Sequence, residues 1–208
     1  MRVGFYAPMK PPNHLSPSGD RAVGQLLIEA MTLAGHQVQV MSEFRSLDIS
    51  GDAEIQRNFE IKGREEAKRI LGEISSNGHV IIDLWFTYHL FHKAPDWLGA
   101  EISKTLGIPY VVAEAAYAPK QQTGPWHAGL AQVETALRSA DGVISLNPRD
   151  RHCIQPFLNA NVTQSSLLPF TRQLPNRQEE RGRLKARLGQ HLGIDSRPPW
   201  LIAVAMMR

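Results

Sequence analysis

Cysteine is nearly absent: Cys153 stands alone in 208 residues. It has no partner within the chain, which excludes an intramolecular disulfide framework and matches the usage of a reducing compartment. Long apolar runs are missing as well. The longest, such as Val80–Ile82 and Leu201–Met207, are strand-sized, well short of the roughly 20 residues a spanning helix needs. The opening Met1-Arg2-Val3-Gly4-Phe5-Tyr6, with Pro8 close behind, holds no apolar stretch of signal-peptide length, so a cytoplasmic protein is expected. The glycine fingerprints G-x-G-x-x-G and G-x-x-x-x-G-K do not occur, nor does the G-x-S-x-G nucleophile elbow. Dinucleotide binding, P-loop chemistry and serine hydrolysis therefore find no support.

What is present is a composition of ordinary globular type, 42% hydrophobic and 21% charged. A chain of this length makes one large domain or two small ones, and buries about 70% of the surface it exposes unfolded. The net charge of +3 is unevenly placed. Residues 1–170 carry 15 Lys/Arg against 17 Asp/Glu, while residues 171–208 carry 8 against 3. A nucleic-acid binder spreads basic residues over a face among aromatics, and no such interleaving occurs here. No nucleic-acid partner is expected.

Apolar periodicity alternates between strand-like and helix-like stretches. Val3–Ala7 reads as a buried strand, and Asp20–Ala34 places Val23, Leu26, Leu27, Ala30, Met31 and Ala34 on one helical face before Gly35 ends it. Strands follow at Val38–Met41, Val80–Phe86, Tyr110–Ala113 and Val143–Leu146, with helices through about Ile74, over Pro95–Leu106 and over Trp126–Ala140. This alternation predicts an α/β fold with a doubly wound parallel sheet, because parallel neighbours need crossover connections. After Leu167-Leu168-Pro169-Phe170 come a polar connection and a basic helix over about 178–192. Trp200–Ala205 then reads as a fresh strand behind Arg197-Pro198-Pro199. A lone strand cannot bury both faces, so residues 200–208 are expected to open a further domain. The expected organisation is thus 1–170 as one domain, 171–199 as a basic linker and 200–208 as the first strand of the next.

Ligands of open parallel sheets bind beyond the carboxyl ends of the strands. The segment Pro8–Gly19 is long for a strand-to-helix connection, as binding loops often are. Ser18-Gly19 precedes a helix N-terminus, a natural place for an anion, although Ser18 or Asp20 acting as a plain helix cap is the simpler reading. The segment Phe86–Lys93 offers Tyr88 and His89 as a pocket lining, or as aromatics filling core beneath a loop. A metal held by His89, His92 and Asp83 is the weakest reading of that segment. Glu114, at the end of the fourth strand, suits either a base or sugar-hydroxyl ligand, or a structural ion pair.

Together these segments resemble the N-terminal half of glycosyltransferase family 4 enzymes. The opening strand, the loop ending Pro17-Ser18-Gly19 and the helix closing Leu33-Ala34-Gly35-His36 resemble the start of that family. Leu106-Gly107-Ile108-Pro109-Tyr110-Val111-Val112 resembles its "LGIPVV" lead-in to a strand, and Ala140-Asp141-Gly142-Val143-Ile144-Ser145 its "ADxVIxxS" strand. Leu167-Leu168-Pro169-Phe170 and Val204-Ala205-Met206-Met207-Arg208 are similar to its "VxPPG" and "FVGR" elements.

The resemblance implies a GT-B architecture of two Rossmann-like domains, of which residues 1–170 form the N-terminal, acceptor-side one. It implies metal-independent, retaining transfer of a sugar from a nucleotide-sugar to a sugar or lipid-linked acceptor hydroxyl, with no cofactor beyond the donor. Gly19, with Ser18, and Arg208 are implied at the donor diphosphate; the family's second glycine is Asp20 here, which would repel a phosphate. His89 is implied as the catalytic histidine, and Glu114 is its alternative. Asn13, His14, Tyr88 and Tyr117 are the candidate acceptor contacts. The donor-holding E-x7-E pair of the family would lie in a C-terminal domain beyond this chain. The basic 172–187 stretch raises a peripheral contact with the inner membrane face as a further expectation. Two rival readings stand beside this one: a non-catalytic Rossmann-like module for a nucleotide or sugar, and a different GT-B enzyme, either an epimerase or an inverting transferase with His89 or Glu114 as base.

Overall fold

The computed structural model of the chain describes residues 1–76, 81–172 and 178–201. In chain order the elements are β1 (Arg2–Tyr6), α1 (Gly19–Leu33), β2 (Gln37–Ser42), α2 (Ala53–Ser76), β3 (Leu84–Leu90), α3 (Gly99–Leu106), β4 (Tyr110–Ala115), α4 (His127–Ser139), β5 (Gly142–Ser145), α5 (Asp150–Ile154), β6 (Thr163–Ser166) and α6 (Gln178–Leu192). The strands form one sheet in the order β2-β1-β3-β4-β5-β6, with every pair parallel. The expected doubly wound, Rossmann-like α/β fold is the fold found. The strand order reverses between β1 and β3, because β1 connects outward to β2 on one side while β3 returns on the other.

That reversal distributes the helices. Along β3 to β6 the chain moves steadily in one direction, so right-handed crossovers keep α3, α4 and α5 on the face that α2 also covers. There Ala67, Ile70, Leu98, Ile102, Leu130, Val133, Leu137 and Ile154 pack against Tyr6, Trp85, Tyr110 and Val112 of the sheet. The other face is packed by α1, with Leu27, Val23, Ile28 and Met31 against Val3, Phe5, Phe86 and Ala113. Beside α1 an apolar groove of about 530 Å³ runs past Phe86, Val111, Ile144, Leu167 and Phe170.

Local chemistry sets the boundaries. Ser18 Oγ accepts from the Arg21 N–H at 3.2 Å, and so caps α1. Gly107, at φ 64°, closes α3 in the left-handed conformation that suits glycine. Arg2 binds Asp83 through its main-chain N–H (2.7 Å), Nε (3.2 Å) and Nη2 (2.5 Å), and this clamps the leading ends of β1 and β3.

Three expectations need correction. The third strand runs Leu84–Leu90 rather than Val80–Phe86, since the Arg2–Asp83 clamp and the pairing Val3↔Leu84 start the ladder later. Ile81 and Ile82 precede the strand, and Val80 lies outside the described residues. Consequently Phe86–Leu90 is strand, not connection. The third helix begins at Gly99 rather than Pro95, because Asp96 turns back to accept from the Leu98 and Gly99 N–H groups. The short, polar β6 carries no apolar signal and was not anticipated.

Contacts divide the chain into two compact units, Met1–Phe170 and Thr171–Arg208. In the second, α6 presents Leu184, Leu188 and Leu192 on its surface, and Trp200 Nε1–H donates to Asp195 O at 2.8 Å. Trp200 and Leu201 are not in a strand; the rest of that expected strand, with Arg208, lies outside the described residues. Among the described residues no helix is long and apolar enough to cross a membrane.

Candidate functional site

Open α/β sheets bind ligands beyond the carboxyl ends of their strands, here at β1 and β3, where the strand order reverses. The connection after β1 folds over that edge and is held by its own carbonyls. Pro12 O accepts from Gln25 Nε2 (2.7 Å) and Arg21 Nε (3.3 Å), and Met9 O accepts from Arg45 Nε (3.0 Å). The connection ends in α1, whose first turn carries Asp20.

Asp20 meets His89 across the reversal. The His89 Nδ1–H donates to Asp20 Oδ1 at 3.0 Å, joining residues 69 apart in sequence. Both side chains keep an exposed fraction, 20% for His89 and 30% for Asp20. The hydrogen bond from His89 holds the Asp20 carboxyl below its usual range, against the opposing effect of partial burial, with help from Lys10. An anionic Asp20 can only accept, so it fixes the imidazole with the proton on Nδ1 and the basic lone pair on Nε2.

The backbone here is strained. His89 (φ 64°) and Glu114 (φ 56°) are the non-glycine residues with positive φ among those described. They stand side by side: the β3–β4 ladder pairs Tyr88 with Ala113 and Leu90 with Ala115, and the two left-handed residues fall between. Each such conformation costs about 1–3 kcal/mol and persists where surrounding structure imposes it, typically at functional sites. Beneath them Tyr88 is 2% exposed. Burial, then the Glu114 and Asp20 carboxylates, push its hydroxyl well above the ordinary phenol range, so Tyr88 can donate a hydrogen bond but cannot serve as a base.

The structure therefore brings His89, Glu114 and Tyr88 together at one edge, and adds Asp20. It disposes the other candidates differently. Ser18 is occupied as the α1 cap, and Gly19 has open space on its side-chain side. Asn13 donates to Glu43, and His14 Nδ1 accepts from the Ser16 N–H at 3.1 Å. Tyr117 is buried against Phe157, with ring centroids 4.1 Å apart, and its hydroxyl accepts from Gln122 Nε2. The metal reading fails on geometry. Asp83 is bound to Arg2 at the opposite end of β3, about 20 Å along the strand from His89 at the usual rise per residue. No cluster of three metal-ligating side chains occurs among the described residues.

Sequence reasoning missed the role of Asp20, which was read as a plain helix cap or as an obstacle to phosphate. Its signal was weak: an acidic residue in the first turn of a helix is commonplace. It missed Asp96 too. That carboxylate is fully buried and accepts from Thr87 Oγ1–H (2.6 Å), the Tyr110 hydroxyl (2.7 Å) and the Leu98 and Gly99 N–H groups (2.8 Å each). Trp85 Nε1–H donates in turn to Thr87 Oγ1 at 3.0 Å. This network ties β3, β4 and the start of α3 together.

No family model matches the chain, and no curated protein does. The fold and the edge site together define a doubly wound, Rossmann-like α/β domain with a histidine–carboxylate pair at its strand-order reversal. Among solved structures the chain is similar to UGT2 of Phytolacca americana, determined with UDP-2-fluoro-glucose and pterostilbene, at 12% identity and a TM-score of 0.47. The likeness covers 90% of this chain and 57% of that one, so this chain spans little more than half the length of its neighbour.

Proposed function

We propose that the Met1–Phe170 unit is the acceptor-side domain of a glycosyltransferase, with His89 as the base that deprotonates the acceptor hydroxyl. The observation that carries this reading is the 3.0 Å bond between His89 Nδ1 and Asp20 Oδ1 at the reversal of strand order. In the proposed step the acceptor oxygen attacks the anomeric carbon of a nucleotide-sugar as its proton passes to His89 Nε2. The bond from the anomeric carbon to the diphosphate breaks, and the nucleoside diphosphate leaves with the electron pair. Asp20 offsets the positive charge that develops on the imidazole, as a carboxylate does for any histidine base it orients. Glu114, beside His89, is placed to accept from a further acceptor hydroxyl, with Tyr88 as a donor behind it. The proposed chemistry is metal-independent, and the donor itself would be held by residues outside this unit.

The family resemblance implies retention at the anomeric carbon, whereas an oriented base on the acceptor side is what direct displacement needs. The His89–Asp20 geometry thus favours inversion, the alternative within the same class. The test is product stereochemistry in the native protein, read from the anomeric proton signal, together with turnover of His89→Gln and Asp20→Asn. Inversion, with about 100-fold or greater loss in His89→Gln, supports the base assignment. Retention with an active His89→Gln would overturn it. Absence of any sugar transfer would overturn the transferase reading in favour of a binding module.

A further inference from the structure

The carboxyl edge carries a second feature that the transfer step does not use. Rings follow one another away from the His89–Asp20 pair: His89 to Phe91 at 5.2 Å between centroids, Phe91 to His92 at 5.4 Å, and His92 to Trp126 at 5.9 Å. The row ends at a cation, with Lys93 Nζ 4.3 Å from the Trp126 ring centroid. Phe91, His92, Lys93 and Trp126 are all half-buried, and Lys120 is exposed nearby. The charges acting on His92 are those of Lys93 and Lys120, both positive, which add to burial in holding its pKa below the usual value. Neither lysine forms an ion pair with a described carboxylate.

The row is built, not incidental. Asp48, 4% exposed, donates its main-chain N–H to Lys93 O at 2.8 Å and accepts from Trp126 Nε1–H through its carbonyl at 3.0 Å. Its carboxylate is spent on the turn itself, bonded to Ser50 and Gly51. From the other side, α4 presses Gly129 so close that a Cβ there would stand 2.1 Å from the His92 carbonyl oxygen. These contacts fix the Lys93 and His92 main chain and the Trp126 ring, so these parts lose little freedom when a ligand binds, which favours binding.

Two chemistries coincide along this row. Aromatic faces take flat, weakly polar surfaces, and unpaired ammonium groups take anions. We propose that the Phe91–His92–Trp126 row, with Lys93 and Lys120, is an acceptor subsite for a flat ring bearing an anionic group. This rests on the transferase reading: the ring packs against a face within the row, whose neighbouring rings meet edge to face at 72° and 70°, the anion meets the lysines, and a hydroxyl of the same molecule reaches His89. Aryl phosphates have this chemistry directly, and sugar phosphates approach it through the apolar C–H face of the pyranose, which can also lie on an aromatic ring.

The test needs no donor. Phenyl phosphate and glucose 6-phosphate are titrated into the full chain, with phenol and inorganic phosphate as controls, while the His92 ring protons are followed by NMR and Trp126 by fluorescence. At least one ring phosphate is expected to bind about tenfold more tightly than either control. Binding should move the His92 titration to higher pH, because the anion offsets the two lysines. Lys93→Ala and Lys120→Ala should each weaken binding about threefold, and Trp126→Phe, which keeps a ring in place, should weaken it less than Trp126→Ala. Inorganic phosphate binding as well as both ring phosphates, or a His92 titration unmoved by any probe, would overturn the proposal. Sugar transfer without probe binding would count against this subsite alone. Probe binding without transfer would count against the transferase reading alone.

Discussion

The Tyr110 hydroxyl and the Asp96 carboxylate lie 2.7 Å apart with both residues fully buried, and through them β4 is tied to the turn that starts α3. Thr87 joins from β3 at 2.6 Å, so one carboxylate braces two adjacent strands and a helix N-terminus. Burial and Asp96 hold the Tyr110 hydroxyl well above its ordinary range, which keeps it protonated as a donor.

Replacing Asp96 by Asn keeps the shape but gives the site an amide that cannot accept on all sides. Donors from Thr87, Tyr110, Leu98 and Gly99 then compete for one oxygen. The expected loss is about 2–4 kcal/mol, since a buried polar group left unpaired costs about 1–3 kcal/mol. Urea unfolding should show a lower midpoint at unchanged slope. A change below about 1 kcal/mol would mean that the network is not carrying the β3–β4–α3 junction.

Gly51 sits at φ 75°, and a Cβ there would stand 2.7 Å from Pro125 Cβ. Gly51→Ala is therefore strained twice, by conformation and by contact, and should cost about 1–3 kcal/mol. Because the same turn holds Trp126 through Asp48 O, the variant should also broaden the Trp126 environment, visible as a red-shifted and less polarised emission. Stability lost with unchanged emission would separate the turn from the ring row.

Asp20 has its folded pKa lowered, by the His89 hydrogen bond before other causes. The stabilisation it contributes is full above the ordinary carboxylate range and is lost as pH falls through the lowered value. Asp20→Asn should flatten that acid-side decline and, by removing the anion that orients His89, reduce turnover at neutral pH. A variant whose stability falls with acid as steeply as the parent would show that the pair does not couple to folding.

His92 acts in the same sense, in a higher pH window. Its folded pKa is lowered by burial and by Lys93 and Lys120, so the unfolded chain binds the proton more readily. Stability should fall as pH drops from about 6.5, the ordinary histidine value, toward the lowered one. His92→Gln should remove that component, and thermal melts between pH 5 and 7 measure it. An identical pH slope in both proteins would contradict the assignment.

Much of the fold was legible in the chain itself. Apolar runs of strand length alternating with 3.6-residue periodicity are a local property, and they yielded β1, β2, β4 and β5 and their helices within a few residues of their observed bounds. The third strand was displaced because Val80–Ile82 is as apolar as a strand, whereas its start is decided by an ion pair 81 residues away in sequence. The polar β6 was illegible for a related reason: Thr163–Ser166 is a strand only because β5 offers it an edge. His89 and Glu114 were singled out as chemistry at strand ends, but their left-handed backbones could not be read from either residue.

Composition and periodicity alone determined that this chain makes a parallel α/β sheet, because burial on both faces selects continuous apolar strands joined by amphipathic helices. Only the tertiary structure decided what stands at its edge. Asp20 and His89 belong to segments 69 residues apart, and their meeting depends on where the strand order reverses. The ring row likewise depends on Asp48 reaching both Lys93 and Trp126. Such contacts follow from register and crossover, which are set by the whole sheet closing at once rather than by any one stretch of sequence.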